Sequence, residues 1–195
     1  MKTIILMLVF LVAASCDDKK RDGNEGMFSS TSDRDEAVKL VEDANSELKR
    51  IRILYRENNS KVDELKKALA ANDIAKVKRL ADDLLVVIVD GYAFAETARE
   101  KLDDAQRLDI NDDFKEYLRL KQESLRLQGK AFEYRKESAK LFRDRFGTDD
   151  KVTMSDAAKT FKDNEDNFEK SMAEAMKVSE EADKLYKTAN EQGSY

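Results

Sequence analysis

The chain has 195 residues, with 36 Lys and Arg against 41 Asp and Glu, a net charge of −5. That balance excludes a general nucleic-acid binder, which needs a basic face to neutralise phosphates. With no histidine and a single cysteine, Ser-His and Cys-His nucleophiles, the usual zinc sites and the Glu-x-x-His pairs of di-iron bundles are excluded too, so neither an enzyme nor a metal or cofactor is expected.

The chain opens with Lys2, an apolar run from Ile4 to Ala14, and the small residues Ala13-Ala14-Ser15 directly before Cys16. A helix needs roughly 20 apolar residues to cross a bilayer; this run is about half that, as in a cleavable secretion signal. The segment resembles bacterial lipoprotein signals, in which a small residue precedes a cysteine that becomes acylated. The resemblance implies that residues 1–15 are removed, that Cys16 carries the lipid, and that the protein sits outside the cytoplasm on the cell envelope, in the periplasm or at the cell surface. Two or more acyl chains give a stable anchor where one is marginal. A lone thiol in an oxidising compartment can form no internal disulfide, and lipidation would give it a use.

Residues 17–32 mix charges with glycine and serine and have little to bury. With Cys16 they form the expected flexible tether, with a reach on the order of 20 Å. The remainder, 33–192, has no proline, few glycines and abundant helix formers.

From Asp33 the apolar residues recur in steps of three and four. The first stripe is Ala37, Val41, Ala44, Leu48, Ile51, Tyr55, the polar Asn58, Val62, Leu65 and Leu69, with Asp33 and Glu36 as a capping box. It breaks at Ala70-Ala71-Asn72-Asp73, where Asp73 can cap the next helix. The second stripe runs Ile74, Val77, Ala81, Leu84, Ile88, Gly91, Ala95, Ala98, Leu102 and Ala105. A third segment follows from about Asp113 to Phe146, with Gly147 at its C-terminal end. The fourth stripe is Met154, Ala158, Phe161, Glu165, Phe168, Met172, Ala175, Ser179, Ala182, Tyr186 and Ala189. Short connections make neighbours antiparallel, so the fold expected is all-α, an up-down-up-down four-helix bundle with coiled-coil-like heptad packing and a left-handed supercoil. A pair of long hairpins that join only on dimerisation is the alternative.

The third segment carries Lys121, Gln128 and Arg135, seven apart, in the middle of its apolar arc, so all three should point inward. Counting heights along alternating helices puts Arg135, Glu165 and Asn58 at one level, and Lys121 among Ala44, Ala98, Ser179 and Ala182. A buried ion without a partner costs several kcal/mol; Arg135 and Glu165 should therefore pair, or water should enter. The row is either a polar layer that fixes helix register or the lining of a ligand-binding lumen. Val86, Val89 and Ile53 fall on faces away from the stripes and mark where a homodimer would form.

Other matches are weak. Ser46-Glu47-Leu48-Lys49 has the Ser-x-x-Lys pattern without its companions, and Asp109–Asp113 begins like a calcium loop but has Phe114 where glycine is required. Acidic capping of the third helix is the better use of that segment. The expected function is a lipid-anchored envelope interaction or structural module meeting another protein; the alternative is an extracytoplasmic ligand-binding protein with a polar-lined interior.

Overall fold

The computed structural model describes residues 31–144 and 154–192, and within them the only regular elements are four helices: α1 (Thr31–Ala70), α2 (Ile74–Gln106), α3 (Asp112–Asp144) and α4 (Met154–Gln192). They form a four-helix bundle, as the heptad spacing predicts. The expected signal 1–15, Cys16, residues 17–30 of the expected tether, Phe146 and Gly147 lie outside the described residues, while Thr31 and Ser32, expected in the tether, begin α1.

Local chemistry sets the helix ends. At the α1–α2 turn Asn72 takes the left-handed conformation with φ 55°, which Asn tolerates better than most side chains. Asp73 then caps α2, its carboxylate accepting from the Lys76 backbone N–H at 3.0 Å. Before α3, Asn111 Oδ1 accepts from the Phe114 N–H at 2.8 Å, and Asp112 and Asp113 occupy the first turn, where their charge suits the helix dipole. The cap is thus the amide, with the acids behind it. Asp33 departs from its expected role: α1 begins at Thr31, so Asp33 lies inside the first turn. From there its Oδ2 accepts from the Asp109 backbone N–H at 3.2 Å and ties the start of α1 to the α2–α3 turn.

The closest helix pairs are α3 with α4 and α1 with α2, followed by α2 with α3; α1 and α4 approach less closely. The core falls into two clusters. At the α1–α2 turn end, Val62, Leu65, Leu69, Val77, Leu80, Leu85, Phe142 and Phe161 pack with small alanines. At the α2–α3 turn end, Ala37, Ala44, Ala98, Ala105 and Ala182 are fully enclosed beside Leu102, Ile110, Tyr117 and Leu118. Each cluster draws on all four helices within one chain, so the bundle closes without a second copy and the hairpin-pair alternative is not needed.

The stripes hold with two exceptions: Ile74, which opens the second stripe, is 39% exposed at the start of α2, and the fourth stripe shifts by one residue. Ala158 is exposed and Ala157 fully buried. Two adjacent alanines carry no size signal to separate them; the edge of α4 that meets α3 runs through Ala157, Asn164 and Ser171, seven apart, and rotates Ala157 inward.

Candidate functional site

Between the two clusters the bundle has a waist of rings and charges. Tyr55 of α1 stacks on Phe132 of α3 with centroids 3.9 Å apart and planes 5° from parallel. Phe132 in turn meets Phe168 of α4 at 5.5 Å. Gly91 of α2 makes room for Tyr55: a Cβ there would lie 2.5 Å from the tyrosine oxygen. A residue read as one small member of the stripe is thus what lets the Tyr55 ring cross the bundle.

Arg135 lies against this ring ladder, its guanidinium carbon 3.5 Å from the Phe168 centroid. Its Nε and Nη2 donate to the two oxygens of Glu165 at 2.9 and 3.1 Å. This two-pronged geometry uses the planar fork of the guanidinium fully. Both side chains are largely buried, at 17% and 10% exposure. Glu165 receives a second cation from α1, Lys66 Nζ at 3.9 Å, which also lies over the Phe161 ring. The level predicted from helix heights therefore exists for Arg135 and Glu165. Asn58 does not join it: its amide donates to Leu54 O, one turn back on α1, at 2.7 Å.

The other two members of the row are also engaged. Lys121 is 12% exposed and pairs with Asp183 of α4 at 2.7 Å, with its amine 5.5 Å from the Tyr117 ring centre. Asp183 is next to Ala182 but one position off the stripe, so heptad counting surrounded Lys121 with small residues only. Gln128 donates to Ser124 Oγ at 3.3 Å, and Ser124 donates to Ala175 O across the α3–α4 seam at 2.8 Å. A further buried link, Asn164 Nδ2 to Ser138 Oγ at 2.9 Å, joins the same helices. Ser124 and Ser138 lie fourteen apart, and Asn164 and Ser171 seven apart. That periodicity is visible in the sequence as short polar residues at heptad spacing, beside the larger charges of the row. Among the described residues, no buried side-chain nitrogen or oxygen lacks a hydrogen-bond partner.

Tyr92 and Glu133 form an outer contact absent from the sequence reading. The phenol's one proton goes to the Glu133 carboxylate at 2.5 Å, with Gly129 O the farther, shared acceptor at 3.1 Å, and Lys136 donates to the same carboxylate at 3.0 Å. The Tyr92 hydrogen bond, followed by the Lys136 charge, holds the Glu133 carboxyl below the usual range. Burial, then the carboxylate bond, raises the Tyr92 phenol. Burial also raises Tyr55, with Arg135 opposing, and raises Tyr117, reinforced by Asp183.

An open groove of about 400 Å³ runs between α2 and α3 beyond Tyr92. Its three arginines are already matched: Arg99 by Glu96 and Asp103, Arg119 by Glu116, and Arg126 by Glu123. Gln122 closes on Asp103 at 2.6 Å. With its cations neutralised by near neighbours, the groove offers no net attraction to an anion.

Ser46 sits within α1 and donates to Glu42 O, a helix-internal bond rather than a nucleophile's setting. Among the described residues no group of three or more Cys, Asp or Glu side chains could hold a metal ion, and no helix is long and apolar enough to cross a membrane. No family model, no curated protein and no solved structure matches this chain.

Proposed function

We propose that the protein is an extracytoplasmic interaction or structural module of a bacterial envelope, its helical bundle held at the membrane by an acylated Cys16. The observation that carries this reading is the N-terminal pattern: a short apolar run, three small residues, and the chain's one cysteine immediately after them. Three features of the body support it. It is a long bundle with densely charged outer faces, its interior polar groups satisfy one another, and its sequence lacks histidine. The partner is another protein, met through the outer faces of the helices.

A ligand-binding interior has less in its favour. Arg135 is taken up by Glu165 and Phe168, and Lys121 by Asp183, so an incoming ligand would have to break a buried pair, which costs several kcal/mol. The reading is tested by expressing the full chain in a bacterial host fed an alkyne-tagged fatty acid. The wild type should take up label and fractionate with membranes, and Cys16→Ser should lose both. An unlabelled wild type, or a Cys16→Ser chain that stays in the membrane fraction as before, would overturn the anchor.

A further inference from the structure

The outer face of α2 carries a second stripe, independent of the one that builds the core. Ala75, Arg79, Asp82, Val86, Val89, Ala93, Glu96 and Glu100 follow one another in alternating steps of four and three, and all eight are exposed. At its centre Val86 and Val89 are 62% and 60% exposed, the most open large aliphatic side chains among the described residues. Single exposed aliphatics are ordinary on a protein surface. These two are one turn apart, with Ala93 next along the stripe, and lie between an arm carrying Arg79 and Asp82 and an arm carrying Glu96 and Glu100.

We propose that a second copy of this chain docks on this face, α2 against α2 and antiparallel, about a twofold axis passing between Val86 and Val89. Charge and shape register favour this docking. Because the steps mirror about that midpoint, the twofold sets Val86 opposite Val89 of the second copy and Arg79 opposite its Glu96. Asp82 then falls opposite Ala93 and Ala75 opposite Glu100. The axis repeats each pairing, so the apolar centre is bracketed by two Arg79–Glu96 pairs, and no like charges stand directly opposite. Such self-complementarity is what an isologous interface requires. The alanines at positions 75 and 93 let two helix backbones approach closely. Antiparallel docking also opposes the two helix dipoles favourably.

Arg79 has no ion-pair partner within its own chain among the described residues. Glu96 is bound by Arg99 on its own helix and retains oxygen capacity for a second guanidinium. The interface does not rest on the lipid anchor: an unacylated Cys16 would leave it standing, and a monomeric bundle would leave the anchor standing.

Sedimentation velocity of the full chain in mild detergent, over a concentration series, tests the proposal. The wild type should show a concentration-dependent monomer–dimer equilibrium. Val86→Glu should be monomeric throughout, with its helical circular dichroism unchanged because the position is open to solvent. Arg79→Glu alone should weaken association about tenfold or more through like-charge contact. Arg79→Glu combined with Glu96→Arg should recover most of that loss, because the swapped charges still meet. A wild type monomeric across the whole series would overturn the proposal. So would a dimer indifferent to Val86→Glu, or a double swap no stronger than Arg79→Glu alone.

Discussion

The two ends of the bundle are built differently. The α1–α2 turn end is filled by volume: leucines and the Phe142–Phe161 pair, centroids 5.7 Å apart, occupy the space between helices with no polar atom in the rings. The α2–α3 turn end has more closeness in it, with five fully enclosed alanines against Ala81 and Ala157 at the other end, packed beside Leu102, Tyr117 and Leu118. Its large rings, Phe114, Tyr117 and Tyr186, cluster beside the Lys121–Asp183 ion pair. One repeat of threes and fours thus supports two packing strategies. A core filled by large side chains is sensitive to removal of atoms, and one held by small side chains is sensitive to their addition.

Opposite substitutions at the two ends would sharpen this contrast. Phe142→Ala removes a fully enclosed ring and is expected to cost about 3–5 kcal/mol. Ala98→Leu, at the other end, adds atoms to an enclosed site and should cost roughly 1–3 kcal/mol. Urea denaturation of both variants measures the two losses. If Ala98→Leu proved neutral, the α2–α3 turn end would be looser than its enclosed alanines indicate.

A smaller effect is expected where the ends meet. Gly91→Ala adds a Cβ against the Tyr55 oxygen. The helix-propensity gain of about 1 kcal/mol is then opposed by the displacement of a ring stacked on Phe132. In a Tyr55→Phe background, where the oxygen is gone, the same substitution should be more favourable by about 1 kcal/mol. Thermal melts of the four chains give that difference directly; equal effects in both backgrounds would remove the steric role assigned to Gly91.

The smallest difference appears only in alkali. Burial raises the folded-state phenol of Tyr117 above its ordinary value of 10.0. The unfolded chain therefore releases that proton first as pH rises, and the folded state loses stability from about pH 10 upward, having the full contribution below that. Tyr117→Phe should flatten the decline in melting temperature above pH 10. Hydrogen exchange should show the α2–α3 turn end opening before the phenylalanine-filled end.

Much of this fold was readable because each helix repeats its pattern for its whole length, and because Asp73 stops one segment and caps the next. The pairing of Arg135 with Glu165 was readable for a related reason: antiparallel helices of similar length let position along one be converted to height on another. Rotation about a helix axis was not readable. Ala157 rather than Ala158 turns inward, Asp183 reaches Lys121 from one position off the stripe, and Asn58 folds back on its own helix. Each depends on which neighbour lies closer, and neither residue size nor polarity encodes that. The Tyr92–Glu133 bond lies at the outer edge of the α2–α3 seam, where the angle between helices decides which side chains can touch.

The interior polar row is the feature on which a structural module and a ligand-binding bundle part company, and a double-mutant cycle on Arg135 and Glu165 tests it most directly. Urea denaturation would be run on the wild type, Arg135→Met, Glu165→Met and the double variant. If the pair is a closed structural contact, Glu165→Met strands the Arg135 charge and loses roughly 3 kcal/mol, Arg135→Met loses less because Lys66 still faces Glu165, and the double variant loses less than Glu165→Met alone and unfolds in one cooperative transition. Additive losses, with the double variant the least stable, would contradict that role and return the row to consideration as a binding site.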